Sequence, residues 1–309
     1  MKETIVVAGG AGFVGSHLCE RLLEQEKKVV CIDNLCTGAK KNIQAFLKNK
    51  NFVFLKQDIV QGVKVPEKIS KVFNLASPAS PLHYQRLAIE TLMVGAIGTK
   101  NLLDLAVKNK AAFLQASTSE VYGNPLEHPQ TEKYWGNVNP VGERSCYDES
   151  KRFAEALVMA YYGKLHANTH IARIFNTYGP KMEGSDGRVV PNFITQALSG
   201  KEITVFGDGN QTRSFCFVSD LVDGLLALID SDYHLPVNLG NPEEHSILEF
   251  AETIKCITCS DSKIVFKPLP SDDPTRRKPD ISLAKKILDW EPKVSLETGL
   301  QKTIEYFKK

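Results

Sequence analysis

The 309-residue sequence has little that could staple a small fold or carry the chain through a membrane. It has seven cysteines, an odd and scattered set, which excludes a framework of paired disulfides. The one CxxC spacing, Cys256 to Cys259, is followed by no second CxxC or histidine pair, so it reads as a helix-end coincidence rather than a zinc or redox motif. The thiols are expected to be reduced, as in a cytosolic setting. No apolar run approaches the roughly 18 residues that span a bilayer, and no charged-then-apolar leader opens the sequence, so a cytoplasmic location is expected. An excess of charge of one sign is also missing. Lys and Arg number 38 against 36 Asp and Glu, a formal +2, which argues against nucleic acid as the main partner. The longest basic cluster, Arg276-Arg277-Lys278, is flanked by Asp272, Asp273 and Asp280, and so suits a solvated face or a small anion. Repeats and low-complexity segments are absent as well.

What remains is an ordinary globular composition, 42% hydrophobic and 24% charged. A chain this long can bury about three quarters of its unfolded surface, as two domains or one large α/β domain. Lys2–Ala8 is a β-branched apolar run that predicts a buried parallel strand. Gly9, Gly12 and Gly15 follow, then a helical pattern over Ser16–Glu26, then a second strand, Lys28–Ile32, ending at Asp33. This order of strand, glycine turn, helix, strand and acid is that of a dinucleotide site. The glycines permit close approach of a pyrophosphate, and the helix N-terminus offers it unpaired N–H groups and the positive end of a dipole. Asp33 can accept from ribose hydroxyls and repels a 2′-phosphate, which favours NAD over NADP.

Strands are expected at Asn51–Lys56, Lys71–Leu75, Ala111–Ala116 and Asn168–Ile174, with helices at Arg86–Lys108 and Tyr147–Gly163. This alternation predicts a Rossmann-type doubly wound parallel sheet, whose ligands lie beyond the strand C-termini. Asp58-Ile59, Ala76-Ser77 and the hydroxyl-rich Ser117-Thr118-Ser119-Glu120 all fall at such ends. Tyr147 and Lys151 stand four apart, on one helix face. An ammonium beside the phenol is expected to lower its pKa and make Tyr147 a base. Phe215–Val218 and Val237–Leu239 read as further strand pieces. Ile247–Ile257, Ser282–Leu288 and Leu296–Phe307 read as amphipathic helices, and Trp135 and Trp290 as packing residues.

The glycine turn, the Ser/Thr strand end and the YxxxK pair resemble those of the extended short-chain dehydrogenase/reductases. Longer stretches are similar to the branch that decarboxylates UDP-glucuronate: Asn74-Leu-Ala-Ser-Pro-Ala-Ser-Pro81, Ala116-Ser-Thr-Ser-Glu-Val-Tyr-Gly123, Tyr134-Trp-Gly-Asn-Val-Asn-Pro140, Arg173-Ile-Phe-Asn-Thr-Tyr-Gly-Pro180, Asp186-Gly-Arg-Val-Val-Pro-Asn192, Gln211-Thr-Arg213, Asn238-Leu-Gly-Asn-Pro-Glu-Glu244 and Asp272-Asp-Pro-Thr-Arg-Arg-Lys-Pro-Asp280. The resemblance runs from Val6 to about Phe307.

The resemblance implies an NAD-binding domain over 1–180, with returning segments near 212–240, and a smaller UDP-sugar-binding lobe over 181–309. It implies conversion of UDP-glucuronate to UDP-xylose through a 4-keto sugar, with NAD regenerated in each cycle. Thr118, Glu120, Tyr147 and Lys151 would be catalytic. Gly9, Gly12, Phe13, Val14, Gly15, Asp33, Asn34, Thr37, Asp58, Ile59, Leu75 and Ser77 would hold NAD with Tyr147 and Lys151. Ser119, Tyr161, Asn176, Arg188, Arg213 and Arg277 would hold the substrate, with Arg277 placed near Glu120. No metal is implied. A homodimer is expected from the apolar helices Arg86–Lys108 and Tyr147–Gly163, which relatives pair in a four-helix interface.

Two alternatives are weighed. An epimerase or 4,6-dehydratase is disfavoured, because Ser119 replaces the acid of the dehydratases and many epimerases lack Glu120. A non-catalytic NAD sensor is disfavoured by the intact Tyr147 and Lys151. Two residues depart from the family pattern: Met93 stands where Lys is usual, expected near the sugar acid or phosphates, and Glu143 where Pro is common.

Overall fold

The computed structural model describes residues 3–185, 187–268 and 276–308. Asp186 and the Asp272-Asp273-Pro274-Thr275 stretch lie outside the described residues. The first strand, β1 (Thr4–Ala8), is buried along its whole length. It leads through the glycine turn into α1 (Phe13–Glu24) and β2 (Lys28–Asp33), and then β3 (Phe52–Lys56) and β4 (Lys71–Asn74). After the helices α2 (Pro81–Arg86), α3 (Ala88–Met93) and α4 (Thr99–Asn109) come β5 (Ala112–Thr118), α5 (Ser145–Leu165) and β6 (Thr169–Ile174). The remainder comprises β7 (Thr177–Tyr178), α6 (Val189–Leu198), β8 (Ile203–Phe206), β9 (Thr212–Ser214), β10 (Cys216–Phe217), α7 (Val218–Ile229) and β11 (Pro236–Leu239). It continues with β12 (Glu244–Ser246), α8 (Ile247–Thr258), β13 (Ile264–Lys267), β14 (Arg276–Arg277), α9 (Ser282–Leu288) and α10 (Leu296–Phe307).

Seven strands form one parallel sheet in the order β11-β6-β5-β4-β1-β2-β3, with Ala8 opposite Ile32 on one side and Asn74 on the other. The doubly wound sheet expected from the alternation is therefore present. Period-2 alternation sorts its side chains to two cores. Ile5, Val7, Val29 and Cys31 face α1 and α7, where Leu18, Leu22, Leu221 and Leu225 are buried. Val6, Ala8, Val30 and Ile32 face α4 and α5 through Leu102, Leu103 and Val158. Pro236–Leu239 pairs in parallel with Ile171–Ile174, so chain from beyond residue 230 completes the sheet edge. Smaller sheets, β12-β9-β14, β13-β8 and β10-β7, lie beyond the main one, with α6, α8 and α10 packed together.

Two expectations change. The single helix over Arg86–Lys108 is broken: Leu87 (φ −114°, ψ 43°) separates α2 from α3, and Val94–Gly98 forms a π turn before α4. Its glycines explain the wide turn. A Cβ on Gly95 would stand 2.7 Å from the Ser150 Cβ of α5, and one on Gly98 2.8 Å from Ile59. The apolar spacing survives such a one-residue offset, so periodicity alone reads straight through it. Trp135 is 88% exposed rather than packed. Trp290 is buried, its indole N–H donating to the Asp220 carbonyl at 2.9 Å. Cys259 caps α8 in a left-handed conformation. Among the described residues no helix is long and apolar enough to cross a membrane.

Candidate active site

The C-terminal ends of β1, β4, β5 and β6 open on a cleft of about 1060 Å³ that runs from the glycine turn to Arg213 and Arg277. At one end, Gly9 adopts φ +77° with its Cα packed against the Leu75 backbone, where a Cβ would stand 2.7 Å away. A Cβ on Gly15 would collide with the Gly9 carbonyl oxygen. α1 begins at N-cap Gly12 with no side-chain cap and no acid in its first turn, so its amide end is left for an anion. Gly9, Gly12, Phe13, Val14, Gly15, Thr37, Leu75 and Ser77 all line the cleft. A cradle closed to any Cβ, with an uncapped helix end behind it, fits the diphosphate of a dinucleotide.

The acids near this end sit deeper than expected. Asp33 is buried and accepts from the Ala11 and Leu35 amides at 3.0 and 2.8 Å, beneath the backbone of Gly38. Burial pushes its carboxyl up. Each of its oxygens keeps a second lone pair. Asn34 donates to Asp58 at 3.1 Å, and Asp58 also accepts from the Val60 amide. Ile59 is buried against Gly98. Asp33, Asn34, Asp58 and Ile59 thus build the wall rather than line the cleft.

The central group is Thr118, Tyr147 and Lys151. Thr118 ends β5 and its hydroxyl accepts from the Glu120 amide at 3.2 Å, starting the 3-10 turn Ser119–Tyr122. Thr118 stands beside the Tyr147 phenol and favours its charged form, though burial outweighs it. Lys151, one helical turn on, donates from Nζ to the Ala116 carbonyl at 2.9 Å and lies 5.6 Å from the Tyr147 ring centre. Burial holds its ammonium down at about 8. The expectation that Lys151 depresses the phenol is not met. Burial, with the Glu120 and Asp148 carboxyls nearby, pushes Tyr147 well above the usual phenol range, because the ammonium is turned to the backbone.

Beside Tyr147, Glu120 is gripped by two guanidiniums. Arg277 Nη1 donates to Oε1, and Arg144 Nη2 donates to Oε2 at 2.5 Å. Burial would raise this carboxyl, but Arg277 and then Arg144 bring it down to about 2. Arg277 is buried on β14, whereas Arg276 is exposed. Ser119, Asn176, Arg188 and Arg213 line the cleft, with the Arg188 guanidinium over the Phe13 ring at 5.7 Å. Tyr161 does not join them. Its phenol donates to Asp104 of α4 at 2.5 Å on the outer side of α5. Met93 is on exposed α3, outside the cleft, so its departure from Lys leaves the lining unchanged, while Glu143 lines it.

Sequence reasoning missed three residues here. Arg144 carries no motif of its own, although it lies three residues before Tyr147. Tyr84, on the short helix α2 that follows β4, stacks on Tyr147 with ring centres 5.0 Å apart and planes at 11°. Asp148 is buried, with Oδ1 lacking a hydrogen-bond partner, and burial together with Glu120 pushes its carboxyl up to about 7. A position after a strand end was the one available signal for Tyr84. Behind the site, Glu155 of α5 accepts from Ser117 at 2.5 Å and from Arg173 at 3.0 and 2.7 Å, locking β5 and β6 to the helix.

A parallel sheet with this glycine turn and a buried Tyr–Lys pair at the end of its fifth strand defines a dinucleotide-dependent enzyme of the short-chain dehydrogenase/reductase class. Residues 6–303 match the family described as GDP-mannose 4,6 dehydratase. UDP-glucuronic acid decarboxylase 1 of Danio rerio is 51% identical over 306 residues, 99% of this chain and 73% of that protein. UDP-glucuronic acid decarboxylase 1 of Arabidopsis thaliana is 51% identical over 304 residues, 98% of this chain and 69% of that one. Among solved structures, the UDP-glucuronic acid 4-epimerase of Bacillus cereus, in complex with UDP-glucuronic acid and NAD, superposes with a TM-score of 0.90 at 30% identity, covering 99% of both chains. The chain belongs to the extended short-chain dehydrogenase/reductases and, within them, to the family of the UDP-glucuronic acid decarboxylases.

Proposed function

We propose that this protein decarboxylates UDP-glucuronate to UDP-xylose through a 4-keto sugar, with NAD restored in each turnover. The observation that carries the reading is Glu120, held between Arg277 and Arg144 beside the Thr118–Tyr147 pair. The Bacillus cereus 4-epimerase that shares this fold binds the same sugar acid, so the fold alone does not choose. The 51% identity to proteins named UDP-glucuronic acid decarboxylases, against 30% to the epimerase, favours decarboxylation, and Ser119-Glu120 counts against a dehydratase. Ser119 offers no acid to expel a hydroxyl, and Glu120, held ionised, is not a proton donor near neutral pH.

Gly9, Gly12 and Gly15 with the α1 N-terminus would hold the NAD diphosphate, and Asp33 would take a ribose hydroxyl on its remaining lone pairs. Bound there, NAD supplies reversible oxidation at the sugar's C4. Tyr147 would act as its phenolate, the form that the Lys151 ammonium and the positive nicotinamide of bound NAD would favour; it takes the C4 hydroxyl proton and later returns it, while Thr118 holds the same oxygen in line. Lys151 places a cation beneath the phenol. A ketone at C4 lies β to the C5 carboxylate, so CO₂ leaves with its bonding electrons passing into an enolate. C5 then takes a proton from solvent reaching the cleft, and the hydride removed from C4 goes back to the same carbon as Tyr147 returns its proton. Asn176, Arg188 and Arg213 bind the UDP diphosphate and sugar. The segment 1–180, with the returning chain near 212–240, forms the NAD domain, and 181–309 the UDP-sugar lobe. A cytoplasmic homodimer is the working form.

The direct test is incubation with UDP-glucuronate followed by mass analysis. Loss of CO₂ with release of UDP-xylose is expected. An unchanged mass under conditions where NAD is bound would overturn the reading in favour of an epimerase or a sensor.

A further inference from the structure

Glu120 is held by residues far apart in the chain. Arg277 comes from β14 and is also anchored by the Gly123 carbonyl, to which its Nη2 donates at 3.1 Å. Arg144 immediately precedes α5, so the helix that carries Tyr147 and Lys151 also carries the second clamp on Glu120. Each carboxylate oxygen has its own guanidinium. A terminal carboxylate torsion is broad when unrestrained; two separate charge-assisted bonds remove that freedom. The side chains are 4% exposed for Arg277, 14% for Glu120 and 20% for Arg144, so solvent does little to screen the group.

We propose that Arg144 is a positioning residue: with Arg277 it fixes the plane of the Glu120 carboxylate and keeps it an anion, so that Glu120 presents a fixed acceptor to the cleft rather than a mobile acid. The proposal concerns the same site as the functional reading and rests on that reading only for the turnover assay below. The neighbouring groups make the effect measurable. Burial disfavours the charge on Glu120, and Glu120 in turn disfavours ionisation of the titratable groups that face it, Asp148 and Tyr147 from α5 and Tyr84 from α2. The Arg277 and Arg144 guanidiniums hold the charge in place against burial. Losing one guanidinium should therefore tip Glu120 toward protonation within the working range of pH.

Difference infrared titration of the purified protein, each form measured against its Glu120→Gln counterpart, reads the Glu120 carboxylate without turnover. In the wild type the ionised band should persist down to about pH 4, where an ordinary glutamate is half protonated. In Arg144→Gln it should titrate at least one pH unit higher than in the wild type. Arg144→Lys, which keeps the charge but not the fork, should fall between them. In the turnover assay the acid limb of kcat should move up by the same number of pH units as the infrared titration, with KM changing less than about twofold. Coincident infrared titrations of the wild type and both variants overturn the proposal, whatever happens to activity. Lost activity with an unmoved titration assigns Arg144 a merely structural part. If Arg144→Gln does not fold, the Arg144→Lys titration decides alone. A wild type that releases no CO₂ defeats the functional reading but leaves the infrared result to judge Arg144.

Discussion

Tyr147 is buried between Tyr84 and Thr118, and its environment favours the phenol over the phenolate. Such a group works as a base only from its phenolate, which bound NAD and the Lys151 ammonium would have to favour, so its removal should stop the first step. Tyr147→Phe is expected to lower turnover roughly 10²–10⁴-fold with no accumulation of NADH, read by rapid-mixing absorbance. Glu120→Ala should instead leave NAD and nucleotide binding nearly intact while slowing CO₂ release; normal turnover in either variant would remove the assigned role. Asp148 supports a second prediction. Its carboxyl is raised, so the native state binds its proton more tightly than the unfolded chain does. The resulting stability is fully present below the ordinary carboxylate range and is lost as pH rises through about 7. Asp148→Asn does not ionise. Calorimetry should find it more stable than the wild type by about 2–4 kcal/mol at pH 8 and little different at pH 4.

Among the elements, the glycine turn tolerates least. At Gly15 the barrier is backbone against backbone, a Cβ meeting the Gly9 carbonyl, and no rotamer change relieves it. Gly15→Ala should cost about 1–3 kcal/mol of stability, as overpacking does, and should strip the purified protein of NAD, measured by absorbance after denaturation. Retention of NAD at the wild-type level would mean that the turn has slack. The elements also show how far periodicity reaches. The seven strands of the main sheet and the helices α1, α5, α8, α9 and α10 were readable to within a few residues, because long buried runs and amphipathic spacing are local properties. The break at Leu87 and the π turn at Val94–Gly98 were not. They follow from where Ser150 and Ile59 press on Gly95 and Gly98, contacts that link segments about 40–55 residues apart.

For the molecule as a whole, the apolar surface left on the paired helices matters most. Ile89 is 72% exposed and Phe153 53%, with Leu92, Met93 and Ile97 also outside the core on α3, the π turn and α5. A cluster of this kind calls for a covering surface. A homodimer built on α3, α4 and α5 is expected by light scattering at micromolar concentration; a clean monomer mass would refute it. Replacing Ile89 and Phe153 with Ser should shift the equilibrium toward monomer without unfolding the sheet, since neither lies in a buried cluster.

The sequence by itself determined the parts whose cause is short-ranged. The spacing of Gly9, Gly12 and Gly15 makes the cradle, unbroken β-branched runs make buried parallel strands, and the four-residue step from Tyr147 to Lys151 puts both on one helix face. Resemblance, rather than spacing, brought Arg277 near Glu120, for 157 residues separate the two. Only the tertiary structure decided where charge settles. It turned the Lys151 ammonium to the Ala116 carbonyl, so the phenol is raised rather than lowered. It sent Tyr161 outward to Asp104, placed Asp33 under the Gly38 loop, and set Arg144 on the second oxygen of Glu120. Hydrogen-bond direction, burial and electrostatic field depend on which distant segments are packed within a few ångströms, and local spacing carries no record of that packing.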